Sequence, residues 1–321
     1  MNEDRWKARK VVIVGAGAVG STFAYALAQN GLADEIVLID RNRELMEGQV
    51  LDLAHGLPFF PPVQISVGEI SDYTDAQVVV IAAGAKQAPG ESRLSLLQRN
   101  AVIIEGIVDD IVSHNSPAVM VVVSNPVDVL TYIALKRSGW RRGRVIGSGT
   151  VLDSARFRYL LSRHCDIDVH NTHAYILGEH GDSEFAAWSL TNLAGMPIED
   201  YCPVCRKCTD WDRERNEIVK TVRDSAYHII DYKGATYFAI GLALVRIVGA
   251  ILRNRRSVLT VSTLLDGEYG LRDVCLSVPS IVSQEGVEQV VEANLSSKEL
   301  EALSQSASIL RGAIAELRRG L

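Results

Sequence analysis

The stretch KVVIVGAGAVGSTFAYALAQNGLADEIVLID, residues 10–40, decides how the chain is read. It opens on an apolar β-branched run and breaks at Gly15. A small-residue segment with helical texture follows, and a second apolar run ends in Asp40. Gly15, Gly17 and Gly20 hold the G-x-G-x-x-G spacing, with Val19 inside it. That spacing alone is a weak signal. A strand before it, a helix after it and an acid twenty residues beyond Gly20 make it a dinucleotide fingerprint. Glycine backbone lets a pyrophosphate come close to a helix N-terminus, where unpaired N–H groups and the helix dipole favour an anion. Asp40 is placed to accept hydrogen bonds from the adenine ribose, and its charge repels a 2′-phosphate, so NAD is expected rather than NADP. Arg41 follows at once and could accommodate a phosphate. The bland alternative, glycines that only make a tight turn, is outweighed by the strand–helix–strand context.

The pattern continues outward from this unit. Strands are expected at 10–16, 35–40, 76–84, 118–124 and 144–149, with helical segments such as 18–31 and 94–114 between them. Continuous apolar strands alternating with helices predict an α/β fold, a Rossmann-type doubly wound parallel sheet covered on both faces. The ends of such strands are where ligands bind: AAG at 82–84 and SNP at 124–126 are two of them. After about residue 150 the texture changes. A helix is expected over 153–163, long helices near 212–232 and 234–253, and two hairpin-like runs, SVLTVSTLLDGEYG and DVCLSVPSIVSQEGVEQVV. Ser296 and Glu299 form a capping-box pattern before an apolar stripe of Leu300, Leu303, Ala307, Leu310, Ile314 and Leu317. The expected organisation is an NAD-binding domain over 1–147 and a mixed α+β catalytic domain over 148–321. No Gly/Ser-rich linker separates them, so a wide shared interface is expected.

Bulk properties narrow the function classes. With 321 residues, 47% hydrophobic and 22% charged, the chain can build one large or two medium cores. A formal net charge of −6 argues against nucleic-acid binding through bulk positive charge. No apolar run approaches the roughly 18 residues of a membrane helix. The charged start MNEDRWKARK does not read as a signal peptide, and five irregularly spaced cysteines suit a reducing cytoplasm.

Two segments carry acid–base chemistry. On a helix over 153–163, Asp153 and Arg156 share a face, while Arg158 points elsewhere. A surface ion pair explains Asp153 and Arg156 equally well at this point. His180, in AYILGEHGDSE, stands between glycines with acids close by. Such a His is usually a loop or capping residue, yet it is also the natural proton carrier near neutral pH. Hydride transfer to a carbonyl leaves an alkoxide that must be protonated. A His oriented by an Asp does this.

Seven motifs, GAGAVG, LID, AGAKQAPGESR, SNPVDVLTY, GSGTVLDSARFR, HAYILGEHGDSE and KGATYFAIG, occur in one order along the chain. In them the sequence resembles the L-lactate/malate dehydrogenase family over essentially its whole length, and within it the bacterial L-lactate dehydrogenases. The resemblance implies roles. His180 matches the proton donor and acceptor, Asp153 its orienting partner, and Arg156 the bidentate holder of the substrate carboxylate. Arg93 matches the arginine of a mobile loop that polarises the substrate carbonyl. Asn125 and Thr236 match residues lining the nicotinamide and substrate site. Gly84, Ala85, Ser124 and Ser148 match positions along the cofactor. A homotetramer is implied, with a dimer as the alternative.

Gln87 is the informative position. Malate dehydrogenases resemble one another in placing arginine there, against the second carboxylate of oxaloacetate. A neutral Gln leaves that carboxylate unpaired, so pyruvate and L-lactate are expected, with malate and other 2-hydroxy acids behind. Lys86 next to it could supply a charge if it turned inward. Arg158 and His173 match the positions that bind fructose 1,6-bisphosphate in allosteric bacterial members, at an interface between subunits. A His as phosphate ligand would strengthen activation at acid pH. Cys202, Cys205 and Cys208 repeat at steps of three, but no fourth Cys or His lies nearby, so thiols without a metal are expected. A non-catalytic NAD(H) sensor would keep the glycines and Asp40 but has no use for Asp153, Arg156, His180 and Arg93 together. A zinc module built on the cysteines is the other rival.

Overall fold

The computed structural model describes residues 8–85, 90–205 and 210–320. The first half follows the strand–helix alternation: β1 (Lys10–Val14), α1 (Ala18–Asn30), β2 (Glu35–Ile39), α2 (Arg43–His55), β3 (Gln64–Val67), β4 (Val78–Ile81), α3 (Arg93–Ser113), β5 (Val119–Val122), α4 (Val127–Ser138) and β6 (Val145–Gly147). The six strands are parallel in the order β3-β2-β1-β4-β5-β6. Successive side chains of β1 face opposite layers. Val12 and Val14 pack in one core and Val11 and Ile13 in the other. Both faces are covered by helices, which is why β1, β4, β5 and β6 are mostly β-branched and buried throughout. The edge strand β3 is absent from the sequence expectation. Its exposed Gln64 and Ser66 alternate with half-buried Ile65 and Val67, a weaker signal than a continuous apolar run.

The second half contains α5 (Val151–Cys165), β7 (Thr172–His173), β8 (Ile176–Leu177), β9 (Phe185–Ala186), β10 (Asn192–Leu193), β11 (Met196–Pro197), α6 (Ile198–Cys205), α7 (Trp211–Lys233), α8 (Phe238–Leu252), β12 (Ser257–Leu259), β13 (Ser262–Asp266), β14 (Arg272–Ser277), β15 (Ser280–Ser283), β16 (Gly286–Val290) and α9 (Ser297–Gly320). The two runs that read as hairpins are divided differently. β12 pairs with β15, whereas β13 pairs with β14 and, at Ser262, with β6. The hairpins are therefore β13–β14, across the two runs, and β15–β16, inside the second. The short links 260–261 and 278–279 carry the chain between sheets, and both are buried. Alternation within a strand cannot reveal which sheet it joins.

This pairing extends the parallel sheet to eight strands with antiparallel β13 and β14. The sheet thus runs continuously from the N-terminal half into the C-terminal half. α9 closes one face. Its capping box forms as read: Ser296 N donates to Glu299 Oε2 at 2.7 Å, and Glu299 N donates to Ser296 Oγ at 3.4 Å. Leu303, Ala307, Leu310, Ile314 and Leu317 are buried, while Leu300 at the head of the stripe stays exposed.

Candidate active site

The carboxyl ends of β1, β2, β4, β5 and β6 gather the cofactor candidates on one edge of the sheet, where strand order reverses between β1 and β4. Gly15 has φ +107, and a Cβ there would lie 2.7 Å from Ala83 N. A Cβ on Gly20 would lie within bonding distance of the Gly15 carbonyl oxygen, so both sites exclude any other residue. Around Gly17 the space is open, with no atom within 4 Å of a built Cβ. This leaves the N-terminus of α1 bare toward the crevice, the cradle a pyrophosphate requires. Val19, the second residue of α1, is half-buried.

Asp40, at the end of β2, accepts from Ala16 N at 2.7 Å and from Asn42 N at 2.8 Å. A carboxylate has further lone pairs to offer a ribose. Ser124 Oγ donates to Ala83 O at 2.5 Å, and Ser148 N to Val122 O at 2.8 Å. Asn100, buried on α3 and absent from the sequence reading, ties the strand ends together. It accepts from Ala85 N at 2.7 Å beside Gly84 and donates to Asn125 O at 3.1 Å. The residues present fit a dinucleotide.

A cleft of 370 Å³ opens beside this edge, lined among others by Arg93, Asn125, Asp153, Arg156, His180 and Glu184. Its centre is an ion-paired triad. His180 Nδ1 meets Asp153 Oδ2 at 2.6 Å, and Arg156 donates to Asp153 Oδ1 at 2.7 Å. The helix-face reading of Asp153 and Arg156 therefore holds, but Asp153 is fully buried rather than part of a surface pair. Burial opposes charge on Asp153, yet His180 and Arg156 outweigh it and hold the carboxyl below its usual range. Burial likewise opposes charge on His180, but adjacent Asp153, helped by Asp128 and Glu184, pushes its pKa up to about 9.

The loop bearing His180 is fixed from three sides. Asp128, in the first turn of α4, accepts from His180 N at 2.8 Å and from Ser262 Oγ at 2.5 Å. Burial pushes Asp128 up to about 6 against those two hydrogen bonds. Ser306 on α9 accepts from Glu179 N at 3.1 Å and donates to Ser183 O at 2.8 Å. Gly178 exchanges backbone hydrogen bonds of 3.0 Å with Ser277 of β14. Asp128, Glu184, Ser262 and Ser306 were missed in the sequence. Only Asp128 gave a signal, as an acid inside the apolar run VDVL.

Arg93 is the first residue of α3 and 84% of its side chain is exposed; it lies 3.6 Å from Asp182 at the cleft mouth. Thr236 sits half-buried between α7 and α8 and is not among the residues lining the cleft. Gln87 and Lys86 lie outside the described residues, as does Cys208. Cys202 is buried on α6. On the far side of α5 from the triad, Arg158 Nε donates to the carbonyl of Ala174 at 3.2 Å, next to exposed His173. Asp153, His180 and Glu184 bring donor atoms within 4.8 Å of one another. Since Asp153 is already engaged by His180 and Arg156, the cluster reads as acid–base rather than metal-binding.

Fold and cleft together define a dinucleotide-binding protein with a His–Asp couple on a buried carboxylate that an arginine shares. Residues 9–147 match the NAD-binding domain of lactate/malate dehydrogenases, and residues 150–319 match their alpha/beta C-terminal domain. The chain belongs to the lactate/malate dehydrogenase family. It is 60% identical over 313 residues to a protein named L-lactate dehydrogenase from Treponema denticola, covering 97% of this chain and 99% of the relative. Among solved structures, a lactate dehydrogenase from a Medee basin deep-sea metagenome library is similar with a TM-score of 0.94 and 45% identity, covering 98% and 100% of the two chains. The minor L-lactate dehydrogenase of Enterococcus mundtii, in a ligand-bound form, is similar with a TM-score of 0.93 and 42% identity, covering 96% and 98%.

Proposed function

We propose that this protein is an NAD-dependent L-lactate dehydrogenase that interconverts pyruvate and L-lactate. The observation that carries the reading is the His180–Asp153 couple at 2.6 Å, sharing its carboxylate with Arg156 on the wall of a cleft beside the cofactor edge. When bound, NAD supplies or accepts the hydride. Asp153 holds the His180 ring with Nδ1 toward itself, so Nε2 is the atom that gives the proton to the forming hydroxyl and takes it back in oxidation. Arg156 grips the substrate carboxylate with the part of its guanidinium not used by Asp153, and Arg93 leaves Asp182 to polarise the carbonyl oxygen. Asn125 and Thr236 flank the nicotinamide side, and Gln87 meets the methyl group. Gly15, Gly17, Val19, Gly20, Asp40, Gly84, Ala85, Ser124, Asn125 and Ser148 hold the cofactor. Domain roles follow, with cofactor binding over 1–147 and substrate chemistry over 148–321. The L configuration rests on the names of the relatives.

A fructose 1,6-bisphosphate site at Arg158 and His173 belongs to the same proposal. Arg158 is a half-buried guanidinium with no carboxylate partner among the described residues; it faces the Tyr175 ring at 5.6 Å and shares its field with Arg246. A cation in that state favours an incoming phosphate. Assembly into a homotetramer is supported by Phe238 and Leu242, exposed four residues apart on α8, and by nearly bare Phe59 and Tyr232. No helix among the described residues is long and apolar enough to cross a membrane, in keeping with a cytoplasmic enzyme.

Initial rates of NADH oxidation with pyruvate and with oxaloacetate, each with and without 1 mM fructose 1,6-bisphosphate at pH 6, test the reading. Pyruvate is expected to be the faster substrate, with its half-saturation lowered by the bisphosphate. Faster oxaloacetate turnover would sink the lactate assignment, and indifference to the bisphosphate would sink the effector site. Light scattering of the purified protein decides tetramer against dimer.

A further inference from the structure

Glu184 is a buried carboxyl that the chemistry above does not use. It follows the His180 loop, is 6% exposed and lines the cleft together with Asp153, Arg156, His180 and Arg223. One of its oxygens, one of Asp153 and a ring nitrogen of His180 all lie within 4.8 Å of one another. The two carboxyls are treated differently by their surroundings. Asp153 receives hydrogen bonds from both His180 and Arg156. No described residue hydrogen-bonds the Glu184 carboxyl. Three cations face Glu184, from His180, Arg156 and Arg223, and none of them hydrogen-bonds its carboxyl. Arg156 and His180 are committed to Asp153. Arg223 approaches from α7. On the side away from the triad it shares a second cavity with Arg93, Glu179 and Asp182. The α9 residues lining that cavity, Ala302, Gln305 and Ile309, are uncharged.

We propose that Glu184 is a substrate-docking proton site, which must be protonated for an anionic 2-oxo acid to dock on Arg156. The reason is charge crowding in a desolvated space. A substrate carboxylate on Arg156 would join Asp153 as a second buried anion around one guanidinium. An ionised Glu184 would be a third, with no hydrogen bond to compensate it. Burial first, and the Asp153 charge second, already hold the Glu184 proton on, up to about pH 8. Where Glu184 is ionised, docking of one substrate anion takes up one proton from solvent onto its carboxyl, and the charge of the cleft is unchanged. This rests on the reading that Arg156 holds the substrate carboxylate.

The test compares wild type with Glu184→Gln, a near-isosteric neutral side chain. In wild type, kcat/KM for pyruvate reports loss of two protons between pH 7 and 9.5, one from Glu184 and one from His180. The variant reports the loss of one. Each further ionisation costs another factor of ten per pH unit above it, and pH 9.5 lies about 1.5 units above the Glu184 value of about 8, so the variant keeps about 30-fold more of its own pH 7 value at pH 9.5. Equal pH slopes in the two proteins overturn the proposal. Infrared spectroscopy of the ligand-free proteins gives an independent readout. A protonated-carboxyl C=O band at pH 7, present in wild type and missing in Glu184→Gln, is expected. Identical spectra overturn the proposal whatever the turnover. Absence of pyruvate turnover in wild type at any pH, with the band present, overturns the lactate reading and with it the docking role, and leaves the buried proton standing.

Discussion

The Nδ1 atom of His180 lies 2.6 Å from Oδ2 of Asp153, and the other oxygen of the same carboxylate accepts from Arg156 at 2.7 Å. One buried carboxylate therefore fixes both His180 and Arg156, the proposed proton carrier and the proposed substrate-holding cation. Asp153→Asn keeps the shape but offers His180 an amide in place of a charge. Turnover of pyruvate should fall by about 10²–10⁴-fold while NADH binding, followed by fluorescence, stays within a few-fold of wild type. Loss of NADH binding in parallel would place Asp153 in the fold rather than in the chemistry.

The two reaction directions should part on pH. His180 must carry its proton to reduce pyruvate and must lack it to oxidise lactate. Its pKa of about 9 predicts a kcat for pyruvate reduction, read with substrate already docked, that holds through neutrality and falls above about pH 9, with the kcat of lactate oxidation rising over the same interval. The same shift has a stability consequence. The folded pKa lies above the ordinary 6.5, so the stabilisation from the ion pair is fully present below pH 6.5 and is lost as pH rises through about 9. The melting midpoint of wild type should drop between pH 7 and 9.5 more than that of His180→Asn.

Arg156→Lys retains the charge but not the fork. One ammonium cannot serve Asp153 and a bidentate substrate carboxylate together. Loss of a charged hydrogen bond is worth about 1.5–3 kcal/mol, which predicts a pyruvate KM raised by about 10- to 150-fold. Steady-state kinetics on the variant measure it. An unchanged KM would remove Arg156 from the substrate site.

Gln87→Arg tests specificity at a position that the structure does not describe. A guanidinium there would pair the second carboxylate of oxaloacetate and leave pyruvate facing an uncompensated charge. The ratio of kcat/KM for oxaloacetate over pyruvate should rise by at least about 100-fold, the scale of a few kcal/mol for an unpaired buried carboxylate.

Asp128 holds the His180 loop through the His180 amide at 2.8 Å and through Ser262. Asp128→Ala leaves both donors buried without an acceptor, at a cost of about 1–3 kcal/mol each. Denaturant unfolding should show that loss, and kcat should fall with it as the ring loses its place. Asp128→Asn, which keeps an acceptor, should recover much of the stability.

The sequence carried far into this fold wherever the signal was local and repeated. The apolar runs at β1, β2, β4, β5 and β6, the glycine spacing at 15, 17 and 20, and the capping box at Ser296 and Glu299 all depend on residues within a turn or a strand of one another. The edge strand β3 was not legible because half of its side chains face water. The pairing of β12 to β16 was misread because two-residue periodicity shows the faces of a strand but not its neighbour.

Local spacing put Asp153 and Arg156 on one helix face, and residue type made His180 a candidate proton carrier. Tertiary structure alone brought His180, twenty-seven residues further on, against Asp153. It also set Asp128 and Ser306 around the loop from α4 and α9. A hydrogen bond between distant residues leaves no period in the sequence; the packing of the sheet decides it. The same holds for Glu184, whose letter reads as a surface acid. Only its burial beside Asp153, with no described residue hydrogen-bonded to its carboxyl, marks it as the proposed place to keep a proton.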